Sequence, residues 1–266
     1  VQHPADDPTS NIVTTHFTFE YLHDTLLKLD ELGHDMPTKY KWLERFSNTS
    51  VMDVPMNDPD IYELFHSVRP LGITPDDIGG CQLGTWGLPE FGTRFLQQVL
   101  TDAKPKNFAD LLQIEGLTHG TDVWLGNAET LIKEGVCDIS KVIGCRDSIM
   151  LDLIRYGLER SHAFKIMESV RKGRGLTPEW ETEMKEHNVP DWYLASCKKI
   201  KYMFPKAHAA AYAITAIRLA WYKINIPLAF YCAMFTVAGD GLDANVIMKG
   251  KRFVDSRIAE ITRMGK

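Results

Sequence analysis

Asp30 is the first residue whose position suggests chemistry, because it ends a mostly apolar run and precedes a turn. Residues 26–29 read Leu-Leu-Lys-Leu, and Gly33 follows the aspartate by three positions. An aspartate fixed in this way by packing can reach a metal in an adjoining cleft. Mg²⁺ in proteins prefers a few carboxylates together with substrate phosphates. The alternative is an ordinary surface or helix-capping aspartate, and this segment by itself fits both.

A second segment combines acidic and basic residues at helical spacing. Lys165, Glu168 and Lys172 share one face of a predicted helix, because they lie three and four positions apart. Arg171 and Arg174 extend the positive charge across the end of that helix. Arginine binds phosphate oxygens through its planar fork and lysine as a point charge, so the segment suits a phosphate ligand. The alternative is a solvated face whose basic end complements the helix dipole.

The start of the longest predicted helix carries Lys206 and His208, directly after Pro205. Free backbone amides at a helix N-terminus attract anions, and a lysine there is mildly unfavourable unless an anion compensates it. His208 and Tyr212 lie one above the other at four-residue spacing, and the alanines between them keep this face thin. A nucleobase or a second helix could lie against it, and the alanines fit both.

His34 and Asp35 form a doublet that also resembles the His-Asp pair of metal-dependent phosphohydrolases. Such an enzyme needs further histidine ligands at helical spacing. No such pattern is present among the remaining candidates, which are His119, His162, His187 and His208. The doublet is therefore a weak basis for a hydrolase.

Elements of two kinds must position these residues. Strict alternation over residues 13–21 predicts one half-buried strand, which must join a sheet formed with other strands. From about residue 37 onward the pattern is helical, with Asp58-Pro59 and Thr177-Pro178 among the start signals. Helices are predicted over residues 58–65, 91–100, 108–114, 146–156, 161–171, 179–187, 190–202, 207–224 and 227–237.

The composition of the 266-residue chain excludes several classes of protein. With 44% hydrophobic and 24% charged residues it can form a core, unlike a disordered tail or a collagen. The longest apolar stretch, residues 226–238, is too short and interrupted to span a bilayer, and the polar start predicts no signal peptide. Five widely spaced cysteines without a Cys-x-x-Cys pair argue against a zinc ribbon or a disulfide framework, and indicate a reducing cytosol.

Charge is distributed unevenly along the chain. Residues 1–90 contain 15 acidic and 5 basic residues, whereas the remainder contains 20 acidic and 25 basic residues. An acidic first third and a basic remainder would suit metal binding and phosphate binding respectively. The alternative is ordinary variation of the surface.

Several blocks, taken together and in order, resemble the family C DNA polymerases, the bacterial replicative DNA polymerase III alpha subunits of PolC type. Residues 27–35 resemble the end of the family's palm, and residues 87–93 (Gly-Leu-Pro-Glu-Phe-Gly-Thr) are similar to its Gly-Ile-Pro-Glu-Phe-Gly-Thr block. Further matching blocks lie at residues 119–128, 143–147, 163–173 and 198–212. Thr118 and Ser148 depart from the pattern, which has Ser and Asp there.

The resemblance implies a mainly α fold, a helical fingers domain with a small β-containing remnant of the palm at the N-terminal end. Residues 1–36 would be the last strip of the palm, residues 37–240 the fingers, and residues 241–266 the start of the following duplex-binding region. The family's Asp-x-Asp metal-binding pair and its exonuclease are not visible in this sequence. The chain by itself is therefore expected to be inactive as a polymerase.

The resemblance also implies the site residues and partners. Asp30 matches the third metal-binding aspartate of the palm, which implies Mg²⁺ as the cofactor. The residues that would bind dNTP or DNA are Arg146, Lys165, Arg171, Lys172, Arg174, Lys206, His208 and Tyr212. The implied partners are template-primer DNA and dNTP, with a sliding clamp and clamp loader for the full-length protein, in the nucleoid-associated bacterial cytoplasm and without a membrane. The alternative is a non-catalytic helical module that binds nucleic acid.

Overall fold

The computed structural model of the chain describes residues 1–22, 24–29, 33–238 and 243–265. Contacts divide the chain into two compact units, Val1–Asp35 and Met36–Lys266. The first unit contains little regular structure, whereas the second is an assembly of helices. Each unit is described separately below.

The strand predicted over residues 13–21 in the first unit is wrong. Thr14 forms an isolated antiparallel bridge with Gln2, and the aromatic end of the segment is instead a single helical turn, α1 (Phe19–Leu22). An alternating sequence becomes a strand when neighbouring strands accept its backbone hydrogen bonds. Within the described residues of this unit, that one bridge is the only pairing. The β content expected of a palm remnant is limited here to the bridge.

The second unit is helical, in agreement with the mainly α fold predicted from the sequence. Its helices are α2 (Met36–Ser47), α3 (Pro59–Glu63), α4 (Arg94–Ala103), α5 (Phe108–His119), α6 (Glu129–Lys133), α7 (Arg146–Arg155), α8 (Arg160–Arg171), α9 (Pro178–Glu186), α10 (Asp191–Lys199), α11 (Lys206–Asn225), α12 (Pro227–Val237), α13 (Ala244–Ile247) and α14 (Lys251–Arg263). Short 3-10 turns occur at Val51–Asp53, Arg69–Leu71 and Pro75–Ile78, and a kinked wide turn at Trp124–Ala128.

Local capping sets the start of several helices. The side chain of Asp58 accepts a hydrogen bond from the first turn of α3, where Pro59 occupies the first helical position. Asn107 caps α5 and Thr177 caps α9 in the same way. Thr93 caps α4, so this helix begins later than the sequence predicts.

The end of one further helix also differs from the prediction, for a backbone reason. The helix predicted to run to residue 202 ends as α10 at Lys199, because Tyr202 is held in a bridge with Thr121.

The α11 helix runs through the core of the second unit. One stripe of small residues along it is buried, comprising Ala209, Ala213, Ala216 and Ala220. The α5 and α12 helices pack against α11. Packing against a neighbouring helix therefore explains the small residues on this part of α11. Across the described residues, no helix has both the length and the apolarity needed to cross a bilayer.

A close backbone contact beside α5 gives the first testable prediction. A Cβ atom on Gly116 would lie 2.3 Å from the carbonyl oxygen of Gly144, nearer than any real contact of this kind. Gly116→Ala must therefore push α5 away from this backbone, and we expect it to lower the unfolding free energy by about 2 kcal/mol. Chemical denaturation measures this. Gly33→Ala is the control, because its Cβ would meet nothing within 4 Å, and equal stability of both variants would contradict the packing argument.

Candidate functional site

Three helix termini meet at the connection between α10 and α11, residues 200–205. The backbone amide of Met203 donates a hydrogen bond of 3.2 Å to the carbonyl of Arg171, at the end of α8. The amide of Arg146, at the start of α7, donates one of 3.2 Å to the carbonyl of Phe204. The α11 helix begins directly after the connection. The ends of the three helices that carry predicted cations are therefore gathered around one stretch of backbone.

The same connection is fastened to the turn after α5. The amide of Thr121 donates to the carbonyl of Tyr202 at 2.9 Å, and the amide of Lys201 donates to the carbonyl of Thr121 at 3.1 Å. Two glycines permit this close approach. A Cβ on Gly120 would lie 2.6 Å from the Tyr202 carbonyl oxygen, and one on Gly173 would lie 2.5 Å from that of Lys201.

Glu168 pairs with two of the predicted cations at the end of α8, Arg171 and Lys172. Arg171 donates two hydrogen bonds to its carboxylate, one of them 2.8 Å from Nη2 to Oε2, and the Lys172 Nζ lies 3.0 Å from Oε2. The hydrogen bonds from Arg171 are the main cause that lowers the pKa of Glu168 to about 2. Lys165 and Arg174 are exposed to solvent. The positive charge at this helix end is thus partly neutralised by the protein itself.

The N-terminus of α11 already holds an anion of the protein. The carboxylate of Asp147, in the first turn of α7, accepts a hydrogen bond of 2.7 Å from the backbone amide of Lys206. The Asp147 carboxylate offsets the unfavourable interaction between the Lys206 side chain and the positive end of the helix dipole. The exposed side chain of Lys206 lines a cavity together with Asp152, and it is not part of the ring cluster that His208 joins.

Four rings, those of His119, Phe204, His208 and Tyr212, form a cluster beside the α10–α11 connection. The Phe204 and His208 rings are stacked with their centroids 4.8 Å apart. The Tyr212 ring lies 4.7 Å from that of His208, and the His119 ring, from the end of α5, lies 4.9 Å from it. This imidazole–aromatic cluster offers flat ring surfaces, which are the surfaces on which bases stack in proteins that bind nucleic acid.

Burial sets the protonation of two rings of the imidazole–aromatic cluster, His208 and Tyr212. Burial lowers the pKa of His208, the neighbouring His119 lowers it further, and Glu90 opposes both. His208 is therefore neutral at pH 7. Its buried Nε2 has no hydrogen-bond partner within the described part of the chain. Burial likewise raises the pKa of Tyr212, which stays protonated. His208 and Tyr212 are thus uncharged rings, and His208 retains a buried polar ring nitrogen.

A buried acid lies directly under this cluster. Glu115, on α5, is fully buried, and burial raises the pKa of its carboxyl to about 9, helped by the charge of Glu90. The His119 Nδ1 lies 2.7 Å from the Glu115 backbone carbonyl and 3.2 Å from its Oε2. Because the ring hydrogen bond goes to the carbonyl, both carboxyl oxygens have no hydrogen-bond partner among the described residues. Glu115 is therefore a neutral acid at pH 7.

Asp30, the predicted metal ligand, lies outside the described residues. Among the residues that the structure does describe, no group of three His, Cys, Asp or Glu side chains is placed to hold a metal ion. His34 and Asp35 approach each other, with 3.5 Å between Nδ1 and Oδ1. This contact does not supply the further ligands that a phosphohydrolase needs.

Some of these contacts could be predicted from the sequence, and others could not. His208 and Tyr212 lie four residues apart, a spacing that predicts neighbouring rings on one helix face. Phe204 precedes α11, so helical spacing does not predict its place in the cluster. Asp147 is 59 residues from the amide that it caps, and His119 is in another helix, so no local pattern connects either to the site.

Residues 36–189 match the family model described as the finger domain of the bacterial DNA polymerase III alpha subunit. Because this match covers more than half of the chain, the chain belongs to that family. The resemblance identified from the sequence blocks is confirmed, and so is the mainly helical fold that it implies. The boundaries drawn between palm, fingers and duplex-binding region stay predictions.

The whole chain is also similar to curated proteins named DNA polymerase III PolC-type. It is 54% identical over 265 residues to the protein of Bacillus subtilis (strain 168) and 54% identical over 265 residues to that of Oceanobacillus iheyensis. It is 51% identical over 266 residues to the protein of Lacticaseibacillus paracasei. Each comparison covers 100% of this chain and 18% of the relative. The chain therefore spans about a fifth of the length of these relatives.

Proposed function

We propose that this chain is the fingers, with the end of the palm, of a replicative DNA-directed DNA polymerase, where it binds the incoming dNTP and template-primer DNA. The observation that carries the proposal is the meeting of three cation-bearing helix termini at the α10–α11 connection, which also contributes Phe204 to the imidazole–aromatic cluster. In this proposal residues 1–36 belong to the palm, 37–240 to the fingers, and 241–266 to the start of the duplex-binding region.

The cations at the connection suit a triphosphate. Phosphoryl transfer requires little covalent chemistry from the protein, and depends mainly on positioning and on neutralising charge. The side chains proposed for this role are Arg146, Lys165, Arg171, Lys172, Arg174 and Lys206. Their contacts with phosphates would be electrostatic, so binding of template-primer DNA should weaken steeply as salt is raised.

The imidazole–aromatic cluster suits the base end of the same substrate. His208 and Tyr212 would lie against the nascent base pair, because an uncharged ring surface stacks on any base without reading its sequence. The choice among dNTPs would then come from Watson–Crick pairing with the template.

Mg²⁺ is the proposed metal, with Asp30 as the ligand that this chain provides. The described residues contain no complete metal site, so the remaining ligands would come from elsewhere in the longer protein. Bound Mg²⁺ would neutralise charge on the reacting phosphates. With one proposed metal ligand of its own, the chain should not extend a primer.

The longer protein is proposed to work in the bacterial cytoplasm, associated with the nucleoid, and to bind the sliding clamp and clamp loader. The alternative function is a non-catalytic helical module that binds nucleic acid. The two differ in one property. A polymerase fingers region binds DNA more tightly when the correct dNTP is present, whereas a simple nucleic-acid-binding module does not respond to dNTP.

The test is a titration of the chain with a primer-template whose primer ends in a dideoxynucleotide, with and without the next correct dNTP and Mg²⁺. We expect dNTP to tighten the complex, and Arg174→Ala to weaken dNTP binding about fivefold by removing one charge-assisted contact. Arg160→Ala is the matched control, because Arg160 is also exposed but lies at the opposite end of α8. Affinity that ignores dNTP, or equal losses in both variants, would refute the proposal.

A further inference from the structure

A cavity of about 700 Å³ lies beside α7, and it is lined by none of the four residues of the imidazole–aromatic cluster. Leu151 and Asp152 of α7 line it, as do Tyr156, which follows α7, and Trp192 of α10. Leu153, on the opposite face of α7, is fully buried in the core. A cavity of this size, with aromatic walls and a few polar groups, has the character of a small-molecule site.

One carboxylate in this cavity is held in a fixed position. The buried hydroxyl of Tyr193 donates to Oδ2 of Asp152 at 3.2 Å, and Arg155 Nη1 donates to Oδ1 at 2.9 Å. Burial raises the pKa of Asp152, while these two partners and the nearby Lys206 oppose the increase. A carboxylate can accept about four hydrogen bonds, so Asp152 retains the capacity to accept from a ligand.

Two lysines from different parts of the chain also line the cavity. Lys141 belongs to the loop before α7, and Lys206 is the first residue of α11. Both side chains are exposed, so their ammonium groups can meet a phosphate that remains partly in solvent. Trp192 and Tyr156 provide aromatic surface on which a base can stack.

We infer that this cavity binds a nucleotide whose base carries an amino group, with that amino group on Asp152, the base against Trp192 and Tyr156, and phosphate near Lys141 and Lys206. A carboxylate accepts a hydrogen bond from the N4 amino group of cytosine, whereas thymine presents the O4 acceptor at the equivalent position. The nucleotide could belong to an unpaired DNA strand or be free in solution. The site shares Lys206 with the residues proposed to bind the triphosphate, but its recognition of the base rests on Asp152, Trp192 and Tyr156, which have no role in the proposed function.

The experiment measures binding of fluorescein-labelled oligo(dC) and oligo(dT) of equal length to the 266-residue chain at one fixed, low salt concentration. We expect oligo(dC) to bind at least about fivefold more tightly than oligo(dT), because of the amino group. Leu151→Trp should abolish that preference by filling the cavity. Leu228→Trp, the matched control on the exposed face of α12, should leave it unchanged.

Asp152→Asn provides a second test that does not depend on filling the cavity. It should also remove the preference for oligo(dC), because an amide can donate to thymine O4.

Competition with dCMP identifies the source of the nucleotide. Displacement of oligo(dC) indicates a free nucleotide, and failure to displace it indicates an unpaired strand. Equal binding of the two oligonucleotides, or a preference that survives in Leu151→Trp, would overturn the inference. A lost dNTP response with an intact oligo(dC) preference would instead refute only the proposed function.

Discussion

At about pH 8 the unfolding free energy of the Glu115→Gln variant should be about 5 kcal/mol higher than that of the parent chain, and at about pH 5 the difference should fall below about 1 kcal/mol. Glu115 is fully buried and its carboxyl oxygens have no hydrogen-bond partner among the described residues. Glutamine has the same shape and no charge. The substitution therefore removes the titration of this group with little change in packing.

The sign follows from the pKa of Glu115 in the two states. Burial raises it from an ordinary value of 4.5 to about 9 in the folded chain. Between these values the unfolded chain releases the proton and the folded chain keeps it. The contribution of Glu115 to stability is thus fully present below about pH 4.5 and is lost progressively as the pH rises towards 9, at about 1.4 kcal/mol for each unit.

Denaturant titrations at several pH values between these limits measure the effect. The parent chain should lose stability as the pH rises, and the loss should be much smaller in Glu115→Gln. Glu186→Gln is the control, because Glu186 is an exposed residue at the end of α9. Identical pH dependence of Glu115→Gln and the parent would show that the Glu115 carboxyl is ionised in the folded chain.

The helix starts could be predicted from the sequence because their causes are local. Asp58 caps a helix whose first residue is the adjacent Pro59, and Asn107 caps the helix that begins at the next position. A short polar side chain before a helical segment satisfies amides only two or three residues away. Such signals are visible without knowledge of the tertiary structure.

The candidate site could be predicted only in part, because its assembly depends on contacts between distant segments. The contact between His208 and Tyr212 follows from helical spacing, but the contact of His208 with His119 depends on how α5 packs on α11. The Asp147 cap on α11 likewise joins two helices. The strand error over residues 13–21 has the same origin, since alternation predicts a strand only where a partner strand exists.

Glu168→Gln is expected to bind inorganic triphosphate and dNTP about tenfold more tightly than the parent chain, because it releases two cations for the ligand. In the parent chain Arg171 and Lys172 both contact the Glu168 carboxylate. Their hydrogen bonds and charges lower the pKa of Glu168 to about 2, so the carboxylate stays ionised and competes with any bound phosphate throughout the working pH range. Glutamine retains the length of the side chain and removes the competing charge.

Calorimetric titration of the chain with inorganic triphosphate measures this affinity directly, at low and at high salt. The gain should shrink at high salt, because the contacts with exposed charges are screened. Glu181→Gln is the matched control, since it releases Lys198 from a pair of 2.8 Å that lies outside the proposed triphosphate site. If Glu168→Gln binds no more tightly than Glu181→Gln, then Arg171 and Lys172 serve the stability of α8 and the triphosphate must be held by the other cations of the connection.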